Sequence, residues 1–90
     1  MDIGRKIFFK QVGAKIAYYR TLREMPQDEL AKKAHVSTST LSRIERGRYS
    51  DNLSLLLLLD IADGLQIDIA LLVSFNDLER QMWWRGIPKT

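Results

Sequence analysis

One stretch, residues 27–47, constrains the fold of this chain more than any other part of the sequence. Its apolar spacing predicts a short helix over residues 27–34, a turn of three residues, and a second helix from residue 38 to about residue 46. Ser37 stands just before the second helix, where a hydroxyl can cap the N-terminus by accepting a backbone N–H hydrogen bond. Gly47 suits the left-handed position that follows a helix C-terminus. The stretch therefore predicts two helices joined by a tight turn.

The second of these helices has a surface that is unusual for a core-building helix. At helical spacing, Leu41, Ile44 and Glu45 face inward. The opposite face is small and polar at its N-terminal end and cationic further on, and it consists of Thr38, Ser39, Ser42, Arg43 and Arg46. Such a face fits a DNA major groove, because hydroxyls and guanidinium groups can reach base edges and phosphates.

These residues resemble the helix-turn-helix motif of the phage-repressor, Cro-like (XRE) family, and the resemblance extends from about Val12 to Val73. The resemblance is carried by Gln27, Leu30-Ala31, Val36-Ser37, Leu41 and Ile44-Glu45-Arg46-Gly47. It implies an all-α chain, with a five-helix repressor-like DNA-binding domain and an additional C-terminal helical segment. The domain would occupy residues 1–75, with the motif at residues 27–47, and the C-terminal helical tail would occupy residues 76–90.

The motif departs from the family pattern at both of its turns. Pro26 stands where the family usually has a capping Ser or Thr, and Asp28 and Glu29 can offset that loss through the helix dipole. His35 stands where the family turn commonly has glycine, because the backbone there needs a positive φ. Histidine is among the residues that accept this conformation, so we expect the motif to fold despite both departures.

The exposed face and the resemblance together predict which residues touch DNA. The expected base contacts are Thr38, Ser39 and Arg43, of which Arg43 is best suited to a bidentate guanine contact. The expected phosphate contacts are Gln27, Ser37, Ser42, Arg46 and Arg48. The resemblance also implies a structural ion pair between Arg20 and Glu45, which occupy the positions that are paired in the family.

The distribution of charge favours a polyanionic partner. Residues 1–50 hold 11 Lys/Arg against 5 Asp/Glu, and residues 51–90 hold 3 against 6, so the basic half coincides with the two-helix motif. Charge alone is equally consistent with a normally solvated surface. Further phosphate contacts, with a solvated face as the alternative, are offered by Arg5, Lys6, Lys10 and Lys15.

Composition excludes several other classes of protein. The chain has no cysteine and one histidine, which excludes a disulfide framework, a thiolate metal site and a histidine-rich metal site. No secretory signal and no apolar run long enough to span a membrane is present. We therefore expect a cytoplasmic protein without a catalytic site, metal, cofactor or membrane partner. Its 90 residues, 46% of them apolar, suffice for one core.

Outside the motif, the apolar spacing predicts further helices. A first helix would continue to about residue 23, with a buried stripe formed by Phe9, Val12, Ile16 and Tyr19. A fourth helix, capped by Ser54, would have a core face formed by Leu55, Leu58, Leu59, Ile61, Ala62 and Leu65. A short fifth helix over residues 69–73 would follow, with Asp68 as its cap.

The fourth helix is apolar nearly all round, which indicates burial on more than one side. A second surface should cover Leu56 and Leu57, either a partner subunit or the chain's own C-terminal tail. That tail is too apolar to be free, and we expect it to contribute to a dimer interface or to pack on the fourth helix. The candidate interface residues are Leu56, Leu57, Met82, Trp83 and Trp84.

These expectations combine into sequence-specific binding of double-stranded DNA by a homodimeric transcriptional regulator, a repressor, on a pseudo-palindromic operator. The helix at residues 38–46 would enter the major groove. The alternative is a protein-interaction helical domain, such as a toxin-binding antitoxin or a partner-only regulator. The resemblance leaves the phage, mobile-element, restriction–modification and toxin–antitoxin settings open.

Overall fold

The structure is a computed structural model that describes residues 3–48 and 53–84. Within these ranges the chain forms helices and turns without a β-strand, which confirms the all-α prediction. No helix in them is long and apolar enough to cross a membrane. The helices are α1 (Ile3–Leu22), α2 (Gln27–Lys33), α3 (Thr38–Glu45), α4 (Leu55–Leu65), α5 (Ala70–Val73) and α6 (Asp77–Trp84).

The core lies where the first five helices meet. Its largest fully buried side chains come from every one of these helices: Val12, Ile16, Leu30, Leu41, Ile44, Ile61, Leu65 and Leu72. Each helix thus buries one apolar side against the others, and a single core holds the two-helix motif in place.

The long helix α1 buries a stripe that differs from the predicted one at its N-terminal end. Val12 and Ile16 are fully buried, and Tyr19 packs at the edge of the core. In the preceding turn Phe8, rather than Phe9, packs against the core. The reason lies in a partner far along the chain, because the ring of Phe8 meets Phe75 with centroids 5.2 Å apart.

The leucine-rich helix α4 is rotated relative to the predicted face. Ser54 caps it as expected, accepting a hydrogen bond from the Leu57 N–H at 3.1 Å. The inward assignment of Leu55 and Leu59 is wrong, because these side chains are 68% and 39% exposed. Leu57, predicted to face a second surface, packs instead against the edge of the core. The buried residues of α4 are Leu58, Ile61, Ala62 and Leu65.

The last helix, α6, packs on α1 and not on the fourth helix, which was one of the two positions expected for the tail. Its N-terminus is a capping box: the Asn76 side chain accepts from Glu79 N–H at 2.7 Å, and the Glu79 carboxylate accepts from Asn76 N–H at 2.9 Å. The hydrogen bond from Asn76, followed by that from Lys15, lowers the pKa of Glu79 below its ordinary value. The side chain of Trp84 lies outside the described part of the chain.

Candidate nucleic-acid interface

The turns before and after α2 determine the geometry of the motif. Each contains one of the two residues that depart from the family pattern, Pro26 and His35. Pro26 precedes α2 in an extended conformation (φ −64°, ψ 155°) and supplies no side-chain cap. His35 has a φ of 62°, which is the left-handed conformation predicted for this position. Ser37 then caps α3 through a hydrogen bond from the Thr40 N–H at 3.0 Å. Gly47, with a φ of 71°, follows the end of α3.

The back of α3 is fixed by apolar packing and by one carboxylate. Leu41 and Ile44 are buried in the core. Glu45, whose side chain is 5% exposed, accepts hydrogen bonds from Arg20 Nε at 2.8 Å and from Arg20 Nη2 at 3.1 Å. This fork-to-fork arrangement joins α1 to α3 with defined geometry. The predicted Arg20–Glu45 pair is therefore present.

A third hydrogen bond to Glu45 comes from α2. Nε2 of Gln27 donates to Oε1 of Glu45 at 2.9 Å, so that the carboxylate joins all three helices. The hydrogen bond to Glu45 also raises the pKa of the Arg20 guanidinium, which keeps it charged. Nothing in the sequence indicated the contact between Gln27 and Glu45, because the resemblance assigned one of them to DNA and the other to the fold.

The front of α3 carries the predicted base-contacting residues. Thr38, Ser39 and Arg43 are all exposed, and they lie on the side of α3 that faces away from the core. The hydroxyl residues stand in the first turn and Arg43 one turn further on. The front of α3 therefore combines short hydrogen-bonding groups with a long guanidinium, which matches what base edges in a major groove require.

The predicted phosphate contacts border this front face. Arg46 and Arg48 are exposed at the C-terminal end of α3, and Ser42 is half-buried. Arg46 Nε donates to the Ser42 carbonyl at 3.3 Å, which holds its stem along the helix. The hydroxyl of Ser37 is engaged with Thr40 Oγ1 at 2.9 Å as well as in the cap. Gln27 lies at the N-terminus of α2 and keeps one amide hydrogen beyond the bond to Glu45.

Among the described residues, the acidic ones that follow the motif lie on α4, just before α5 and on α6. Asp60 and Asp63 belong to α4, and Asp68 accepts a hydrogen bond from the Ala70 N–H at 2.9 Å at the start of α5. Within residues 3–48 and 53–84 no group of His, Cys, Asp and Glu is arranged to hold a metal ion. The charge separation seen in the sequence is thus a separation between helices α1 to α3 and the helices that follow them.

Two short helices, a tight turn between them and an exposed polar face on the second helix define a helix-turn-helix protein. A family model described as Helix-turn-helix matches residues 16–72, which is more than half of the chain. The chain belongs to the XRE-type helix-turn-helix family of DNA-binding transcriptional regulators. That family is not an enzyme class.

Two individual proteins are similar in sequence to part of the chain. The chain is 46% identical over 41 residues to an uncharacterised HTH-type transcriptional regulator of Methanocaldococcus jannaschii, covering 46% of this chain and 62% of that protein. It is 43% identical over 56 residues to the immunity repressor protein of Bacillus phage phi105, covering 62% of this chain and 39% of that protein. The chain thus spans less than two thirds of either relative.

A solved structure confirms the likeness of the fold. The restriction–modification controller protein C.AhdI of Aeromonas hydrophila superposes with a TM-score of 0.66 at 28% sequence identity. The superposition covers 71% of this chain and 94% of the controller protein. The resemblance seen in the sequence is therefore confirmed at the level of both family and fold.

Proposed function

We propose that the protein is a sequence-specific repressor that binds double-stranded DNA as a homodimer, with α3 as the recognition helix. The observation that carries this proposal is the division of α3 into a back fixed by Glu45 and the core and a front of exposed hydroxyl and guanidinium groups. A helix held in this way can present its front to a major groove in one orientation. A protein with this function would be located where the DNA is, in the cytoplasm, as expected from the sequence.

The base contacts belong to Thr38, Ser39 and Arg43. Arg43 is the residue on which most of the sequence preference rests, because a bidentate arginine–guanine contact is worth ~1–3 kcal/mol of discrimination. The short side chains of Thr38 and Ser39 require the first turn of α3 to lie deep in the groove, or to act through water or the thymine methyl group. The phosphate contacts belong to Gln27, Ser37, Ser42, Arg46 and Arg48.

Exposed apolar residues support the homodimer. Leu55 and Leu56 are each 68% exposed, and Met82 is 47% exposed. Exposed apolar residues of this size, clustered on one helix, are typical of interaction surfaces. Leu57 and Trp83 contribute less free surface, since both are already partly buried within the chain. We therefore assign the dimer contact to Leu56 and its exposed neighbours on α4, with Met82 as a further candidate.

The test is selection of bound duplexes from a random DNA pool, which reports binding, symmetry and half-site spacing together. We expect a pseudo-palindrome whose half-sites lie about one helical turn, ~34 Å, apart. Arg43→Ala should relax the preference at one base position. Arg46→Ala should weaken binding to all duplexes alike and lower the slope of log affinity against log salt by about one, the contribution of one phosphate contact. Failure of the protein to bind any duplex at low salt would refute the proposal.

A second candidate function is a protein-interaction domain, for which the exposed leucines of α4 are the supporting observation. This second candidate includes two kinds of protein, a toxin-binding antitoxin and a regulator that binds only proteins. The DNA assignment is preferred because a partner-only domain has no need of Thr38, Ser39, Arg43 and Arg46 on the front of one helix. Electrophoretic mobility shift over a salt series separates the two candidates.

A further inference from the structure

We propose that the N-terminal half of α1 adds a second set of phosphate contacts, Lys6 and Lys10, to the recognition surface, and that α6 holds these turns in position. This inference rests on the proposed function and deepens it, since it names further residues for the same polyanionic partner. Both lysines precede the segment that the family model matches, which begins at residue 16.

Helix α1 crosses the C-terminal end of the recognition helix α3. A Cβ at Gly13 would overlap the carbonyl oxygen of Ile44 and lie 2.9 Å from that of Glu45. Lys10 lies one turn before Gly13 on α1, and a Cβ at Gly47 would lie 2.7 Å from its Cα and overlap its Cγ. The backbone of α1 therefore lies directly against the C-terminal end of α3, and two glycines make this close approach possible.

Lys6 and Lys10 lie on the same side of α1 and are both exposed. The stem of Lys10 lies against Gly47 while the residue as a whole is exposed, so its ammonium group reaches into solvent from that contact. Lys6 precedes Gly13 by seven residues, which places the two about 20° apart around a helix. Lys6 is also exposed. Both lysines therefore project from the side of α1 that faces the end of α3.

Lys6 and Lys10 extend a group of cations at the C-terminal end of α3. Gly47 lies between Arg46 and Arg48, both exposed and both assigned to phosphate contacts. Lys10 thus adds a cation at the position where the recognition helix meets the DNA backbone, and Lys6 extends the set by about one further turn. The combined surface suits a phosphate strand, because Lys6 and Lys10 lie about one helical turn apart and add two charges to those of Arg46 and Arg48.

Helix α6 supports the opposite side of α1. Gln11 is two residues from Gly13, about 160° around the helix. It donates to the Glu79 carbonyl at 2.9 Å and accepts from Trp83 Nε1 at 2.6 Å. The ring of Trp83 also meets that of Phe8, with centroids 5.6 Å apart. The early turns of α1 are therefore held between α3 on one side and α6 on the other.

Lys15 shows why the assignment stops at two lysines. It lies on the α6 side of α1, where its ammonium group is 2.9 Å from the Glu79 carboxylate and 5.1 Å from the centroid of Phe75. A lysine that is paired with a carboxylate and an aromatic ring serves the packing of α6. Lys15 therefore belongs to the support and Lys6 and Lys10 to the surface.

The test measures the salt dependence of binding to a duplex selected by the wild-type protein, by fluorescence anisotropy. The double variant Lys6→Gln/Lys10→Gln should lower the slope of log affinity against log salt by about two, and weaken all duplexes alike. Lys33→Gln is the matched control, because Lys33 is an exposed lysine whose stem packs on Gly64 of α4. Its slope should equal that of the wild type.

The role of α6 is tested with Trp83→Ala. If α6 holds the lysines in position, Trp83→Ala should lower the slope of log affinity against log salt by as much as the double lysine variant does. Adding Trp83→Ala to the double lysine variant should then lower the slope no further. A helix that only stabilised the fold would leave the slope unchanged in protein that is still folded by circular dichroism. Trp83→Phe keeps a ring against Phe8 and should restore most of the slope.

The outcomes distinguish a failure of the proposed function from a failure of the lysine or α6 assignment. Absence of wild-type binding to any duplex overturns the proposed function itself. Normal binding by the wild type together with an unchanged slope in the double lysine variant overturns only the assignment of Lys6 and Lys10. A reduced slope in that variant with a wild-type slope in Trp83→Ala overturns only the role of α6.

Discussion

The carboxylate of Glu45 is the polar group whose removal should destabilise the fold most. It accepts three hydrogen bonds, from Arg20 Nε at 2.8 Å, Arg20 Nη2 at 3.1 Å and Gln27 Nε2 at 2.9 Å. Glu45→Ala removes all three and thereby the polar links of α3 to α1 and α2, while the apolar packing of Leu41 and Ile44 remains. It also leaves the guanidinium of Arg20, 18% exposed, with the Met25 carbonyl at 2.9 Å as its remaining described acceptor.

The magnitude follows from this geometry. Removal of one member of a buried ion pair costs ~3–5 kcal/mol, because the other charge stays buried without its partner. Arg20 retains some solvent contact and one carbonyl acceptor, so the loss should lie near the lower limit, at about 3 kcal/mol. In a domain of this size each kcal/mol lowers Tm by ~4–8 °C, so Tm should fall by about 12–24 °C.

Urea and thermal unfolding, followed by far-UV circular dichroism, measure this effect. Glu29→Ala is the control, because Glu29 is exposed in the first turn of α2 and its loss costs only the helix-dipole contribution of ~0.3–1 kcal/mol. The double variant Arg20→Ala/Glu45→Ala should lose less than the sum of the two single variants, since neither charge then remains unpaired. A Glu45→Ala protein that unfolded at the wild-type temperature would refute the structural role of the pair.

Three further predictions concern backbone strain, close packing and pH. His35→Gly should leave the urea midpoint unchanged or raise it, because a side chain at φ 62° is strained; a clear fall in the midpoint would contradict this account of the turn. Gly13→Ala should destabilise the protein by ~1–3 kcal/mol in the same assay, because its Cβ overlaps the Ile44 carbonyl, and an unchanged midpoint would show that α1 can move away from α3. The pKa of Glu79 is lowered first by the Asn76 N–H of its own capping box and then by Lys15 of α1, so it stabilises the capped and docked α6 above the ordinary pKa of glutamate, about 4.3, and this contribution is lost as pH falls through the folded-state pKa. The ring of Trp83 packs against Phe8 of α1, so tryptophan fluorescence should report undocking of α6 on acidification, and Glu79→Gln should flatten that pH dependence; equal titration curves for the two proteins would exclude Glu79 as the group responsible.

The sequence predicted the motif well because its signals are local. The cap at Ser37, the left-handed residues His35 and Gly47, and the inward position of Leu41 depend on neighbours within one or two turns. Local hydrogen bonding and helical periodicity determine such features, and no distant partner has to be known.

The faces of α1 and α4 were harder to predict because their determinants are distant or ambiguous. Leu55 to Leu59 form a run of five identical side chains, in which no polar residue marks the side that faces solvent. The burial of Phe8 depends on Phe75 and Trp83, both more than sixty residues away along the chain. Contacts of this kind follow from tertiary packing, which helical periodicity does not encode.

The residues predicted to touch DNA stay predictions, but their surroundings are now defined. The sequence placed Gln27 on phosphate, whereas the structure also joins it to Glu45. The same amide group can serve both, since it carries two hydrogens. Gln27, at the N-terminus of α2, can thus link the proposed DNA-binding surface with the carboxylate of Glu45, which orients α3.

The docking of α6 on α1 has a consequence for the order in which the chain assembles. Gln11 and Trp83 are 72 residues apart, whereas α2 and α3 meet across a turn. Contacts of long sequence separation form late, because the intervening chain must first be ordered. The central helices can therefore condense before the early turns of α1 acquire their second neighbour. Opening of α6 alone would then be a partial unfolding event of low free energy, confined to the two ends of the described fold.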